Sequence, residues 1–175
     1  MISLILKNNL IMKKFILIFT LFILTTVSLK AQEYYWTSYS FNVDSEDTEI
    51  VAKLTNDYFS AENAKADGVS VYLFENHFHD SELSSSHEIV FAGTYDAMGN
   101  QYSQGENPSW DLYLAKLGQY TKSFSAAAGK SVHSFGVPGT HPIQNLFWLK
   151  VNDASTFAKG FKKYNSKHNP DDRRV

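Results

Sequence analysis

Residues 34–43, "YYWTSYSFNV", alternate: Tyr39, Phe41 and Val43 share one side, and Trp36, Ser38, Ser40 and Asn42 share the other. A period of two predicts a strand. Asp44 or Ser45 can cap the segment that follows, acids crowd its first turn, and Ile50, Val51, Leu54, Tyr58 and Phe59 recur at helical spacing before "ADG" stops it. Residues 69–79 and 87–95 alternate again across a short polar connection, which predicts an antiparallel hairpin with His79 opposite His87. In that register Val69, Val71, Leu73, Ile89 and Phe91 lie on one face, and Tyr72, Phe74, Phe78, Val90, Ala92 and Thr94 lie on the other. Asn107 and Pro108 form a cap and first-turn pair, after which Trp110, Tyr113, Leu117, Tyr120 and Phe124 trace one helical stripe up to Gly129. "KSVHSFGV" then predicts a fourth strand, "PGTHPIQN" a turn-rich connector and "LFWLKV" a fifth strand. Asp153 caps a last helix carrying Phe157, Phe161 and Tyr164.

The expected fold class is therefore α+β: a ferredoxin-like βαββαβ sheet with helices on one face, over residues 34–137, followed by a βα unit at 145–168. The trailing unit echoes the first, since "YSFNVDSEDTEIVAKLTNDYFS" and "FWLKVNDASTFAKGFKKYNS" share a strand, an acidic cap and an aromatic-ending helix. It reads as the start of a second repeat, or as convergence on the same capped unit. The element order, the two-faced strands and the hint of tandem halves resemble the dimeric α+β barrel superfamily over residues 34–165. That superfamily includes antibiotic-biosynthesis-type monooxygenases, haem-degrading oxygenases and stress-responsive proteins without known activity. The resemblance lies in the pattern of elements and transfers no catalytic residue, so function must be argued from side chains.

The strand face bearing Trp36, Tyr72, Phe74 and Phe78 beside small polar residues is poorly suited to bulk water. Covering it calls for a second copy of the chain or a second repeat, and large rings beside small residues leave room for a small apolar or aromatic ligand. Ordinary complementary packing produces the same composition. The leading expectation is a homodimer that binds a small ligand on this face. The alternatives are a cofactor-free or haem-dependent monooxygenase-like enzyme and a structural or interaction module without a ligand.

Candidate chemistry concentrates in "ENHFHDSELSSSH", which holds three of the six histidines. On a strand, His77 and His79 point to one side with Glu75, and His87 comes across the hairpin. Three imidazoles and a carboxylate suit zinc, copper or iron. A wet hairpin tip flanked by serines orients no ring, so the expectation is that no metal binds there. His133 at mid-strand is a candidate general base or haem ligand and Tyr102 in the "GNQYSQGENP" loop a candidate lid residue, whereas a hydrogen-bonded core or edge histidine is the favoured reading of His133. No phosphate loop, serine-nucleophile elbow, zinc-protease helix or calcium loop occurs, and the sequence specifies no cofactor. The absence of cysteine excludes disulfides, thiolate ligands and a cysteine nucleophile.

The chain opens with Lys13 and Lys14, an apolar run from Phe15 to Leu24 and a short polar region ending near Ala31. This is the form of a secretory signal peptide, too short in its apolar part for a spanning helix of about 20 residues. The expected mature chain, residues 32–175, is one periplasmic or extracellular domain with no stable membrane insertion. Removing the four lysines of residues 1–31 from the 16 basic residues leaves 12 against 18 acids, a formal charge of −6. Residues 32–149 hold 5 basic against 15 acidic groups, whereas residues 150–175 hold 7 against 3. An acidic body repels a phosphate backbone, so nucleic acid is not an expected partner. Intact-mass analysis of the exported protein should show a chain beginning between Ala31 and Glu33; a product that retains Met12 contradicts export with cleavage.

Overall fold

The computed structural model describes residues 33–62, 64–78, 83–133, 143, 147 and 149–168. Its elements are β1 (Tyr34–Val43), a 3-10 turn (Ser45–Asp47), α1 (Thr48–Phe59), β2 (Ser70–Glu75), β3 (His87–Thr94), α2 (Tyr95–Tyr102), α3 (Pro108–Leu117), β4 (Thr121–Lys130) and α4 (Ala154–Lys167). The sheet order is β2-β3-β1-β4 and every neighbouring pair is antiparallel. This is the ferredoxin-like βαββαβ arrangement, with the short α2 added ahead of the second crossover helix.

The helix starts follow their capping side chains. Asn107 accepts from the amides of Ser109 (3.1 Å) and Trp110 (3.2 Å) in front of Pro108, whose missing N–H costs nothing in the first turn. Thr94 accepts from Ala97 N (3.2 Å) and Asp153 from Thr156 N (3.0 Å), each such cap contributing about 1 kcal/mol. At α1 the expected cap is displaced: Asp44 and Ser45 lead into the 3-10 turn, and Asp47 stands at the helix start with no side-chain cap bond.

Three expectations are corrected. The hairpin pairs Glu75, not His79, with His87, because β2 ends four residues early. Asn76 ends it by donating from its backbone to Ser86 O (2.7 Å) and from its side chain to Ser85 O (2.9 Å). His79 lies outside the described residues. The offset is an even number, so the faces survive: Val71 stands opposite Phe91, and Leu73 opposite Ile89. Second, the stripe from Trp110 does not continue to Gly129. The helix closes at Leu117 with Gly118 as its C-cap, and "TKSFSAAAGK" runs as β4 along β1. The fourth strand thus lies one segment earlier than "KSVHSFGV", of which only Lys130 is in a strand; residues 134–137 lie outside the described residues. Third, Gly99–Tyr102 is the end of α2 and not loop. Of the predicted fifth strand, Phe147, Leu149, Lys150 and Val151 are described and take no strand pairing, whereas its helix is present as α4.

The core lies between α1, α2 and α3 and one face of the sheet. Phe41, Val43, Val51, Val69, Ile89, Phe91, Ala97, Met98, Tyr113 and Leu117 are buried in it, and Phe41 and Val51 are fully enclosed. Tyr58, Phe59, Trp110 and Tyr113 of α1 and α3 pack ring on ring, with Tyr58 and Tyr113 stacked at 4.6 Å between centroids. Each fully buried aromatic or aliphatic side chain of this kind contributes about 1.5–3 kcal/mol.

Gly129 faces Trp36 across the β1–β4 ladder, and a Cβ at Gly129 would lie 2.5 Å from the indole Cζ2. The indole therefore lies down over the glycine, covering backbone that a side chain would otherwise cover. Gly129→Ala should destabilise the domain by about 1–3 kcal/mol, the usual cost of overpacking, in urea unfolding. The same substitution in a Trp36→Ala background should cost nearly nothing; an equal loss in both backgrounds contradicts this contact.

Candidate functional site

The sheet has two chemically different faces because β1 is paired on both edges and its residues alternate. The face opposite the helices carries Trp36, Ser38 and Ser40 of β1, Tyr72 and Phe74 of β2, and Glu88, Val90 and Ala92 of β3, as the pairings Trp36 to Ala92, Ser38 to Val90, Tyr72 to Val90 and Phe74 to Glu88 require. Trp36, Tyr72 and Phe74 are half-buried, and Tyr72 and Phe74 are stacked with centroids 6.0 Å apart. The alternation thus places three of the four expected ligand-binding residues on one face, Tyr72 and Phe74 as neighbours on β2 and Trp36 two strands away, over Gly129 of β4. Phe78 lies beyond the end of β2 and is 90 % exposed, so it belongs to the connection and not to the sheet.

Two polar side chains on this face are buried: Ser38 is 3 % and Glu88 6 % exposed. The Ser38 hydroxyl donates to Glu88 Oε1. A carboxylate accepts at two oxygens, so one hydroxyl leaves much of its capacity unused. An acid inside the otherwise apolar run "EIVFA" is the signal in the sequence that could have drawn attention to Glu88.

Beside this pair the face sinks into a hollow of about 510 Å³. Its wall is mostly hydroxyl: Ser38 and Ser40 from β1, Ser84 and Ser85 from the return of the hairpin, and Ser123 and Ser125 from β4. The hairpin return is fixed to the end of β1, since Ser86 N donates to Asn42 Oδ1 (2.9 Å) and Val43 N to Ser86 Oγ (2.8 Å). On the opposite wall the β1–β4 register slips between Ser40 and Asn42, and Ser123 takes a positive φ of 55°. Among the described residues it is the non-glycine residue in that region, a conformation that costs energy and that bulges beside functional sites often adopt. Phe124, at the bulge, borders the hollow and lies parallel to Phe41 at 6.2 Å. Among the described residues the Ser85 hydroxyl is buried without a hydrogen-bond partner.

The remaining candidates lie elsewhere. Tyr102 ends α2, and its hydroxyl sits 2.5 Å from Thr37 Oγ1 and 2.9 Å from the Tyr39 hydroxyl. Thr37 and Tyr39 belong to the helix-side face of β1, so Tyr102 ties a helix to the sheet and is not a loop residue above the open face. Burial pushes its phenol well above the usual tyrosine range, which keeps it protonated. His133 follows the end of β4 and is exposed, so it is not mid-strand. His77 is exposed beyond β2, whereas His87 is buried on the helix side, its ring parallel to Phe41 at 6.0 Å and its Nδ1 2.9 Å from Ser86 Oγ. The described histidines of the hairpin are therefore separated. Among the described residues no group of three or more histidines and acids converges on one point.

No family model matches the chain, and no curated protein matches it. Among solved structures it is similar to a Dabb family protein with a ferredoxin-like fold from Mesorhizobium loti, at 10 % identity over 56 % of this chain and 96 % of that one, with a TM-score of 0.42. It is also similar to a dimeric ferredoxin-like protein of unknown function from Bacteroides fragilis, at 10 % identity, 56 % and 96 % coverage and a TM-score of 0.40. A third is SnoaB, a cofactor-independent oxygenase from Streptomyces nogalater, at 15 % identity, 64 % and 99 % coverage and a TM-score of 0.36. These likenesses concern the arrangement of elements alone.

Burial of His87 lowers its pKa below the usual 6.5, an effect that outweighs the opposing pull of the Glu75 carboxylate. The unfolded chain therefore takes up this proton first as the pH falls. Stability is complete above about pH 6.5 and is lost as the pH falls from there toward the lower folded-state pKa. Urea unfolding between pH 7 and pH 5.5 should show this decline, and His87→Gln should flatten it; an unchanged slope in the variant contradicts the assignment.

Proposed function

We propose that the protein is an exported ligand-binding homodimer whose ligand, a small apolar or aromatic molecule, lies on Trp36, Tyr72 and Phe74. The observation that supports this reading is the asymmetry of the sheet: α1, α2 and α3 pack on one face, while the other carries half-buried rings and a hydroxyl-lined hollow. A second copy that covers this face would remove apolar area from water and enclose the hollow. Turnover is the less favoured reading, because His77 and His133 are exposed beyond the strand ends, His87 lies on the helix side, and Tyr102 is engaged by Thr37 and Tyr39 there. The apolar run near the N-terminus and the acidic body support export to the periplasm or beyond.

Light scattering should give about twice the mass of the mature chain. Naphthol should quench tryptophan fluorescence saturably, and Tyr72→Ala with Phe74→Ala should weaken its binding at least tenfold, about 1.4 kcal/mol. A monomer whose fluorescence ignores naphthol removes the basis for both claims.

A further inference from the structure

Resting on the reading that the open face takes a ligand, we infer that the ligand is an arylalkylamine, its ring beside Trp36 and its ammonium in the hollow at Ser38, held by the charge of Glu88. The argument begins with the carboxylate. Glu88 is 6 % exposed, its hydrogen-bond partner is the neutral hydroxyl of Ser38, and it forms no ion pair among the described residues. Buried carboxylates are ordinarily matched by a cation or by several donors. Here the side chain that bonds the carboxylate is itself part of the wall of a cavity large enough for a small molecule.

The lining fits the same occupant. An ammonium carries three donors and no acceptor, and serine hydroxyls supply acceptors without competing positive charge. Among the described residues the lining holds no lysine or arginine, and Lys122, which stands opposite the lining residue Asn42, is paired with Asp44. The strongly acidic body adds an attractive field. Trp36 neighbours the lining residue Ser38 on the same face of β1, which suits a ligand with an aromatic body and a charged end. Trp36 and Ser38 are two residues apart along one strand face, about 7 Å, a span comparable to a phenyl ring joined through two carbons to nitrogen. The bulge at Ser123 opens the wall of β4 at this place, and the unpartnered Ser85 hydroxyl adds a polar group in the facing wall.

Three probes of nearly equal shape isolate the charge: 2-phenylethylamine, 2-phenylethanol and phenylacetate, titrated by calorimetry at neutral pH into the mature protein. The amine should bind at least tenfold more tightly than the alcohol, and the acid more weakly than either. Glu88→Gln preserves an acceptor for Ser38 and should bring the amine to within about threefold of the alcohol. Ser125→Leu, on an exposed strand, should obstruct the hollow and reduce amine binding while leaving Glu88 in place, with folding of both variants checked by circular dichroism. Equal affinity for amine and alcohol, no amine binding, or a preference that survives Glu88→Gln overturns the inference. Naphthol binding retained in any of those cases confines the failure to the ammonium site, whereas its loss in the wild type counts against the ligand face as a whole.

Discussion

The pairing of β1 along both of its edges is the constraint on which the other features depend. β3 and β4 hold its ten residues in an extended run, so successive side chains must point to opposite faces. Phe41 and Val43 are thereby committed to the helix-side core, and Trp36, Ser38 and Ser40 to the open face. A slip of one residue would bury the serines under α1 and expose Phe41, an exchange no local propensity could offset. The hydrogen bonds from Ser86 N to Asn42 Oδ1 and from Val43 N to Ser86 Oγ carry the same constraint into the hairpin, fixing where its return strand begins.

The two faces then follow different rules. On the helix side, rings pack against rings and the few hydroxyls are paired, as between Thr55 and Tyr113 at 3.1 Å and around Tyr102. Such hydroxyls add direction to a core that hydrophobic burial alone leaves tolerant of repacking. On the open side, Ser38 and Glu88 are buried among larger side chains, and the surrounding hydroxyls form a concave wall. A low local dielectric strengthens whatever electrostatic contact is made there.

Much of this organisation is legible in the amino-acid pattern. The face assignments of β1, β2 and β3 come from alternation, and they withstand a register error of four residues because the side-chain period is two. Trp36, Tyr72 and Phe74 were therefore identifiable as companions. β4 was not, because Tyr120 and Phe124 continue the spacing of Trp110, Tyr113 and Leu117, and three successive alanines favour a helix. Backbone pairing with β1 overrides both signals. His133 and Phe78 were placed on strands that end before reaching them, and strand ends depend on the partner strand as much as on the residues themselves. The Ser38–Glu88 contact was hidden for the same reason: it joins residues fifty positions apart whose meeting is decided by register.

β4 has a further consequence as the border of the sheet. Most of its residues are exposed, and "SFSAAAG" lacks charge and proline, which makes its outer backbone an inviting template for a foreign strand. Lys122 and Lys130 stand at its two ends, the first 2.7 Å from Asp44 and the second 2.5 Å from Glu33. These pairs are exposed and stabilise the fold little. Their value is as gatekeepers: an incoming copy of the same strand in antiparallel register must bring its own lysines toward them or stop short of the ends. Protection against uncontrolled polymerisation thus rests on two side chains and on the kink at Ser123, which leaves only a short straight stretch of edge between them.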